Sequence, residues 1–527
     1  MISKISLLFA LCVGCHLHGE DYVLGADSQP KAGAPKGTVS AHVLPPGRYY
    51  PGTPHNYSIY VPAQYDASKP APLMIFLDGN GALSENVRVP VVFDNLIAQR
   101  ELPAMIGIFV NPGVLPPVSD EAQSRFERVF EYDSLSERFA SFLVEELIPA
   151  VGAKYNLSKD PNDRGLSGVS TGAVGAFAAA WNRPDQFRRV LSFIGTFVAM
   201  KGADGLPGLI RKTEPKPIRV FLQAGKNDHI APNQPQGTFY AGSWPINNRV
   251  MYEAFQFAGY DSKLVAGDEG HNMKHGAAIM PDALRWLWRD YPQPIGVKEP
   301  AAFEKEGWDP RGKVYSTVWA SKGWKEVPAE DWKAQDAVVR KLGVKFARRE
   351  IAVTANGSAY FVDVARKIVG LIDSSGKQKV VYRGSDLALP TGAALSPDQA
   401  MLVVTDGQSR FSWSFQIAKD GTLQNGEPFY RLEMPESGWM SGVQGAAFDS
   451  IGQVYFATPL GVQVCEANGR VAMILNPPER GAVTSVWFGG EEMNFLYVTE
   501  NGKTFRREVK VKGVPAAVVA KLPRPPL

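Results

Sequence analysis

One serine in this chain stands out by its neighbours. Gly168-Val169-Ser170-Thr171-Gly172 is a G-x-S-x-G match inside RGLSGVSTGAVGA, residues 164–176. Glycines on both sides of a serine meet a steric need where a strand turns sharply into a helix, since side chains there would collide. Such a turn lifts a hydroxyl clear of the sheet. A serine hydroxyl is a poor nucleophile at neutral pH, so it needs a base for its proton and an acid to orient that base. Ser167 is the nearby rival, but Val169 stands where its own pattern would need glycine.

In α/β-hydrolases the partners follow in the order Ser, Asp or Glu, then His. Downstream of the apolar run Ile218–Leu222 comes QAGKNDH, and Asp228 is its acid. Further on, GDEGHNMKH places His271 after a strand-like segment, Lys263–Ala266, and makes it the candidate base. His275, four residues beyond, is the competing base. A histidine pair at that spacing suggests a metal site, but the glutamate of H-E-x-x-H is missing and the loop is rich in glycine. We therefore expect no metal or other cofactor. The oxyanion of the tetrahedral intermediate needs preorganised donors. The Thr171 amide is one, and Gly79 or Asn80, in the loop DGNG, supplies the other. His229 and Trp244 are candidate substrate contacts, with a core position equally open for Trp244.

These side chains need a frame. Tyr57–Val61 alternates like a half-buried strand, and LMIFL (73–77), MIGIFV (105–110), VLSFI (190–194) and IRVFL (218–222) are continuous apolar runs. Runs of that length fit parallel strands covered on both faces. Between them, Leu135, Phe139, Phe142, Leu143, Leu147 and Val151 form one helical stripe within 133–151, and AVGAFAAAW follows Ser170 directly as a helix. Strands alternating with helices predict a doubly wound α/β sheet. Residues 22–49, rich in Gly, Pro and small polar residues, read as a loose entering arm.

The rest of the composition bounds the answer. A chain of 527 residues is too long for one ordinary core and predicts more than one domain. The formal net charge is only +3 with no run of either sign, so no nucleic-acid partner is expected. Beyond the N-terminus no apolar run reaches the ~20 residues of a membrane span. Met1–Lys4 followed by the short apolar Ile5–Val13 reads as an export signal over residues 1–19, giving a periplasmic or secreted protein. Two processing routes fit, lipidation at Cys15 or cleavage near Gly19. Of three cysteines only Cys465 lies outside this segment, so no disulfide is expected in the body of the chain.

The blocks FLDGNG, NLIAQRELPAMIGIFVNPG, EYDSLSERF, GVSTGAVGAF, RKTEPKPIRVFLQAGKND and GHNMKHGAAIMPDALRWLW together resemble the enterochelin-esterase-like branch of the α/β-hydrolases over about residues 45–292. The resemblance implies a serine carboxylesterase with Ser170, Asp228 and His271 on the triad positions. It implies a small-molecule or carbohydrate ester as substrate: a siderophore lactone, an acetylated or feruloylated sugar, or another ester.

The second half repeats itself. AYFVD, LVVTD, VYFAT and LYVTE end at 363, 406, 458 and 500, a period of 42–52 residues that marks a β-propeller. LPTGAALSPDQAMLVVTDGQSR and GVQGAAFDSIGQVYFATPLGVQVCEANGR resemble the gluconolactonase / senescence-marker-protein propellers, which close six blades and hold a divalent metal by a glutamate, an asparagine and an aspartate. Here Thr391 takes the asparagine position and Gln444 the aspartate position, and no glutamate block is recognisable around Glu350. Neutral Thr and Gln are poor ligands for a hard cation. The expected organisation is a signal over 1–19, an α/β-hydrolase domain over 20–294, a linker with strands over 295–345 and an incomplete, non-catalytic propeller over 346–527. Residues 313–345 or another chain are expected to cover its open edges. Two other readings stay open from sequence alone: a metal-dependent lactonase working through the propeller, and an idle glycan-binding scaffold.

Overall fold

The computed structural model describes residues 22–229, 242–297, 318, 322–328 and 346–523. The export segment with Cys15, and most of the 295–345 linker, lie outside the described residues.

Eight strands build the first sheet: β1 (Thr38–Leu44), β2 (His55–Val61), β3 (Leu73–Leu77), β4 (Ile106–Val110), β5 (Arg164–Val169), β6 (Arg189–Phe193), β7 (Arg219–Gly225) and β8 (Asp261–Gly267). Their spatial order is β1-β2-β4-β3-β5-β6-β7-β8. β1 and β2 pair antiparallel, as do β2 and β4, and every other neighbour is parallel. Alternate residues of the apolar runs serve opposite faces. Leu73, Ile75 and Leu77 join one core with Phe139, Phe177 and Phe255. Met74 and Phe76 join the other with Phe93, Leu284 and Trp288. Each such side chain contributes about 2 kcal/mol by leaving water, so a strand apolar on both faces has nowhere to sit but between two helical layers.

Two expectations need correction. The arm 22–49 is not loose throughout, because β1 pairs with β2 from Thr38↔Val61 to Leu44↔His55. It is an edge strand whose side chains are mostly exposed, so no apolar alternation announced it. The stripe within 133–151 does pack on the core, but as Arg138–Phe142, a π turn at Leu143–Leu147 and Ile148–Gly152, with Leu135 at φ 52° before it.

The second half folds into four sheets of four strands, a propeller-like ring of four blades. The four repeated cores are the second strands of the blades, Ala359–Asp363, Met401–Asp406, Val454–Thr458 and Phe495–Glu500. The outer strand of the fourth blade is Lys325–Val327, from the stretch expected to cover an edge, pairing antiparallel with Lys503–Glu508. The 3-10 turn Arg348–Glu350 packs against the inner strands of the second, third and fourth blades. Glu214 fastens this ring to the first half. Its carboxylate accepts from Arg507 at 2.8 and 3.1 Å and from the Asn476 amide at 3.1 Å, while its own amide donates to the Ile474 carbonyl at 2.9 Å. Lys212 also pairs with Glu433 at 2.5 Å.

Candidate active site

The serine turn follows from its glycines. A Cβ on Gly168 would lie 1.9 Å from the Gly172 carbonyl oxygen, so only glycine lets β5 meet the helix Thr171–Asn182 this closely. Ser170 sits between them at φ 59° and ψ −121°, a strained conformation for a residue with a side chain. Ser167 lies buried within β5, paired across to Phe76 and Leu191, and is not at the turn.

Asp228 follows β7 and His271 follows β8, and backbone bonds stitch these two loops together. Lys226 N–H donates to Gly267 O at 2.7 Å and Asn227 N–H to Glu269 O at 3.2 Å. His271 Nδ1 lies 2.8 and 3.1 Å from the two oxygens of Asp228, and Nε2 lies 2.8 Å from Ser170 Oγ. Asp228 Oδ1 also accepts the His229 amide at 2.6 Å. A carboxylate only accepts, so the His271 proton sits on Nδ1 and the bare Nε2 accepts the serine O–H. Hydroxyl, imidazole and carboxylate in series can pass a proton from serine to histidine while the acid stays ionised.

The Thr171 and Gly79 amides are the first of their helices and have no hydrogen-bond partner among the described residues. The Asn80 amide donates to Asn111 Oδ1 at 3.0 Å, leaving Gly79 as the unclaimed donor of its loop. That loop is tied to β5 by Arg128, which the sequence did not single out. Its guanidinium donates twice to Asp78, both at 2.7 Å, and once to Val169 O at 3.1 Å.

The His229 ring stacks on His271 at 4.8 Å, and burial lowers its pKa, with His271 adding to the shift. Trp244 is only 2% exposed and stands T-shaped to His271, ring centroids 5.7 Å apart. His275 is in the core, stacked on Tyr22 with Nδ1 3.1 Å from Gln223, and does not reach Ser170. A further residue escaped sequence reading: Thr196 Oγ1 lies 3.0 Å from Ser170 Oγ. Its position just past the carboxyl end of β6, where α/β sites gather, was the available signal.

Asp228, His229 and His271 also form a group able to hold a cation, but Asp228 and His271 are already bonded to each other. No group of three or more His, Cys, Asp or Glu able to hold a cation occurs in the propeller among the described residues. Thr391 Oγ1 lies 2.7 Å from Val443 O and 2.9 Å from Thr405 Oγ1, and Glu350 caps its own turn through the Ala347 amide at 3.0 Å. Arg349 packs beside Gly445, next to Gln444. These residues do not fit the divalent cation of the lactonase propellers.

Residues 50–343, more than half the chain, match the family described as "Putative esterase", and residues 348–502 match the "SMP-30/Gluconolactonase/LRE-like region". The uncharacterized protein YbbA of Bacillus subtilis (strain 168) is 20% identical over 261 residues, 48% of this chain and 97% of its own. A ferulic acid esterase structure is 17% identical with a TM-score of 0.38, over 48% of this chain and 98% of its own. Ferric enterobactin esterase of Salmonella typhimurium is 22% identical with a TM-score of 0.39, and the match spans 49% of this chain and 60% of that enzyme. The chain belongs to this esterase family and is a carboxylic ester hydrolase.

Proposed function

We propose that the protein is an exported serine carboxylesterase using Ser170, His271 and Asp228 as its triad. The observation that carries this reading is one imidazole bonded at both nitrogens, to Ser170 Oγ and to Asp228. Ser170 attacks the ester carbonyl as His271 Nε2 takes its proton, and Asp228 stabilises the imidazolium. The Thr171 and Gly79 amides receive the oxyanion. Collapse returns the proton to the departing alcohol, leaving an acyl-enzyme, and a water deprotonated by His271 then frees the acid. The propeller takes no part in the chemistry. Ser170→Ala, assayed with p-nitrophenyl acetate, abolishes turnover; retained turnover sinks the assignment.

The substrate we propose is a small-molecule or carbohydrate ester, acetylated or feruloylated sugars and siderophore-like esters being the classes to screen. Export to the periplasm or beyond rests on the Met1–Val13 pattern. Cell fractionation with N-terminal sequencing checks it, and an unprocessed cytoplasmic chain contradicts it.

A further inference from the structure

Thr196 and Trp244 form a hydrogen-bonded tail behind the nucleophile. The loop after β6 reverses through Ile194, at φ 43°, and Gly195. The Thr196 amide then donates to the Ser170 carbonyl at 3.1 Å. Helix Trp244–Ala258 pins this loop, since Asn248 donates to Gly195 O and Asn247 to Phe197 O, both at 2.8 Å. Thr196 is 2% exposed, so its hydroxyl must find partners inside the protein. It has two, Ser170 Oγ at 3.0 Å and Trp244 Nε1 at 3.1 Å.

The bond between the two hydroxyls could run either way on its own, so its direction is set by the neighbours at each end of the row. An indole N–H only donates and a carboxylate only accepts. Trp244 therefore donates to Thr196 Oγ1, the unprotonated His271 Nε2 takes the Ser170 O–H, and the Thr196 O–H is left to donate to Ser170 Oγ. The His271 Nδ1–H in turn points at Asp228. Bonds aligned head to tail polarise one another, so a donor on Ser170 Oγ favours the charge that builds as its proton leaves.

We infer that Thr196 is a positioning residue for the nucleophile and that Trp244 fixes its hydroxyl. Thr196 keeps its own proton throughout: the Ser170 proton goes to His271 Nε2 while the Oγ–carbon bond forms. The inference rests on the triad proposed above. It gives Trp244 a role independent of any substrate contact.

The test compares the full chain with Ser170→Ala, Thr196→Val, Thr196→Ser and Trp244→Phe on p-nitrophenyl acetate. Thr196→Val lowers kcat about tenfold with KM within about twofold of the parent, as expected for one lost bond to a charge-developing atom. Thr196→Ser restores kcat to within about threefold, and Trp244→Phe falls between parent and Thr196→Val. Sulfonylation of the serine by phenylmethylsulfonyl fluoride slows in parallel. Parental kcat in Thr196→Val or in Trp244→Phe overturns the inference, as does a Thr196→Ser variant no faster than Thr196→Val. If Ser170→Ala stays active, the triad reading fails whatever Thr196 does. If it is inactive while Thr196→Val is unimpaired, only the present inference fails.

Discussion

A buried carboxylate near the site sets one pH dependence of stability. Asp133 is 5% exposed, neither of its oxygens has a hydrogen-bond partner among the described residues, and burial pushes its pKa up to about 6. Between about pH 4 and 6 the folded chain keeps a proton that the unfolded chain has released, so stability falls as pH rises through that window. Above it the folded state carries a desolvated charge costing roughly 1–3 kcal/mol. Asp133→Asn removes that charge, so its melting temperature exceeds the parent's by a few degrees at pH 7.5 and matches it at pH 4. Equal melting temperatures at both pH values contradict this. At the same scale, Ser170 was legible because its signal lies in five adjacent residues. Thr196, Asp78 and Arg128 were not, because their contacts arise only when the chain reverses between strands distant in sequence.

The elements were legible in proportion to how much of them is buried. β3 and β4, apolar on both faces, appeared in the sequence almost to the residue. β1 did not, because most of its side chains face solvent and its pairing with β2 is a backbone affair. The turn between β5 and its helix carries the sharpest element-level prediction. Gly168→Ala puts a methyl 1.9 Å from the Gly172 carbonyl, so strand and helix must separate. We expect loss of esterase activity and destabilisation of about 2–3 kcal/mol by denaturant unfolding. Parental activity in this variant contradicts a close approach of strand and helix at the serine turn.

In the whole molecule, the ring of blades is joined to the esterase half through a buried ion pair. Four repeats were readable in the sequence since each blade repeats its own apolar core, whereas the ring of four blades they build was read only as an incomplete propeller. The joint was not readable, because Glu214 and Arg507 lie 293 residues apart. Removing one partner leaves the other charge buried, so Glu214→Leu or Arg507→Leu alone costs about 3 kcal/mol. The double replacement costs less than the sum of the two, by an amount that thermal unfolding of all four chains reads as a coupling energy. Strictly additive losses contradict a direct pair at the joint.

Under the proposed mechanism, ester hydrolysis runs through Ser170. Its most direct test is turnover of p-nitrophenyl acetate by purified Ser170→Ala with an unchanged melting temperature. The expected result is a fall in kcat of at least about 10³-fold, as when a triad nucleophile is removed. A folded Ser170→Ala protein that hydrolyses the ester at the parental rate would contradict it.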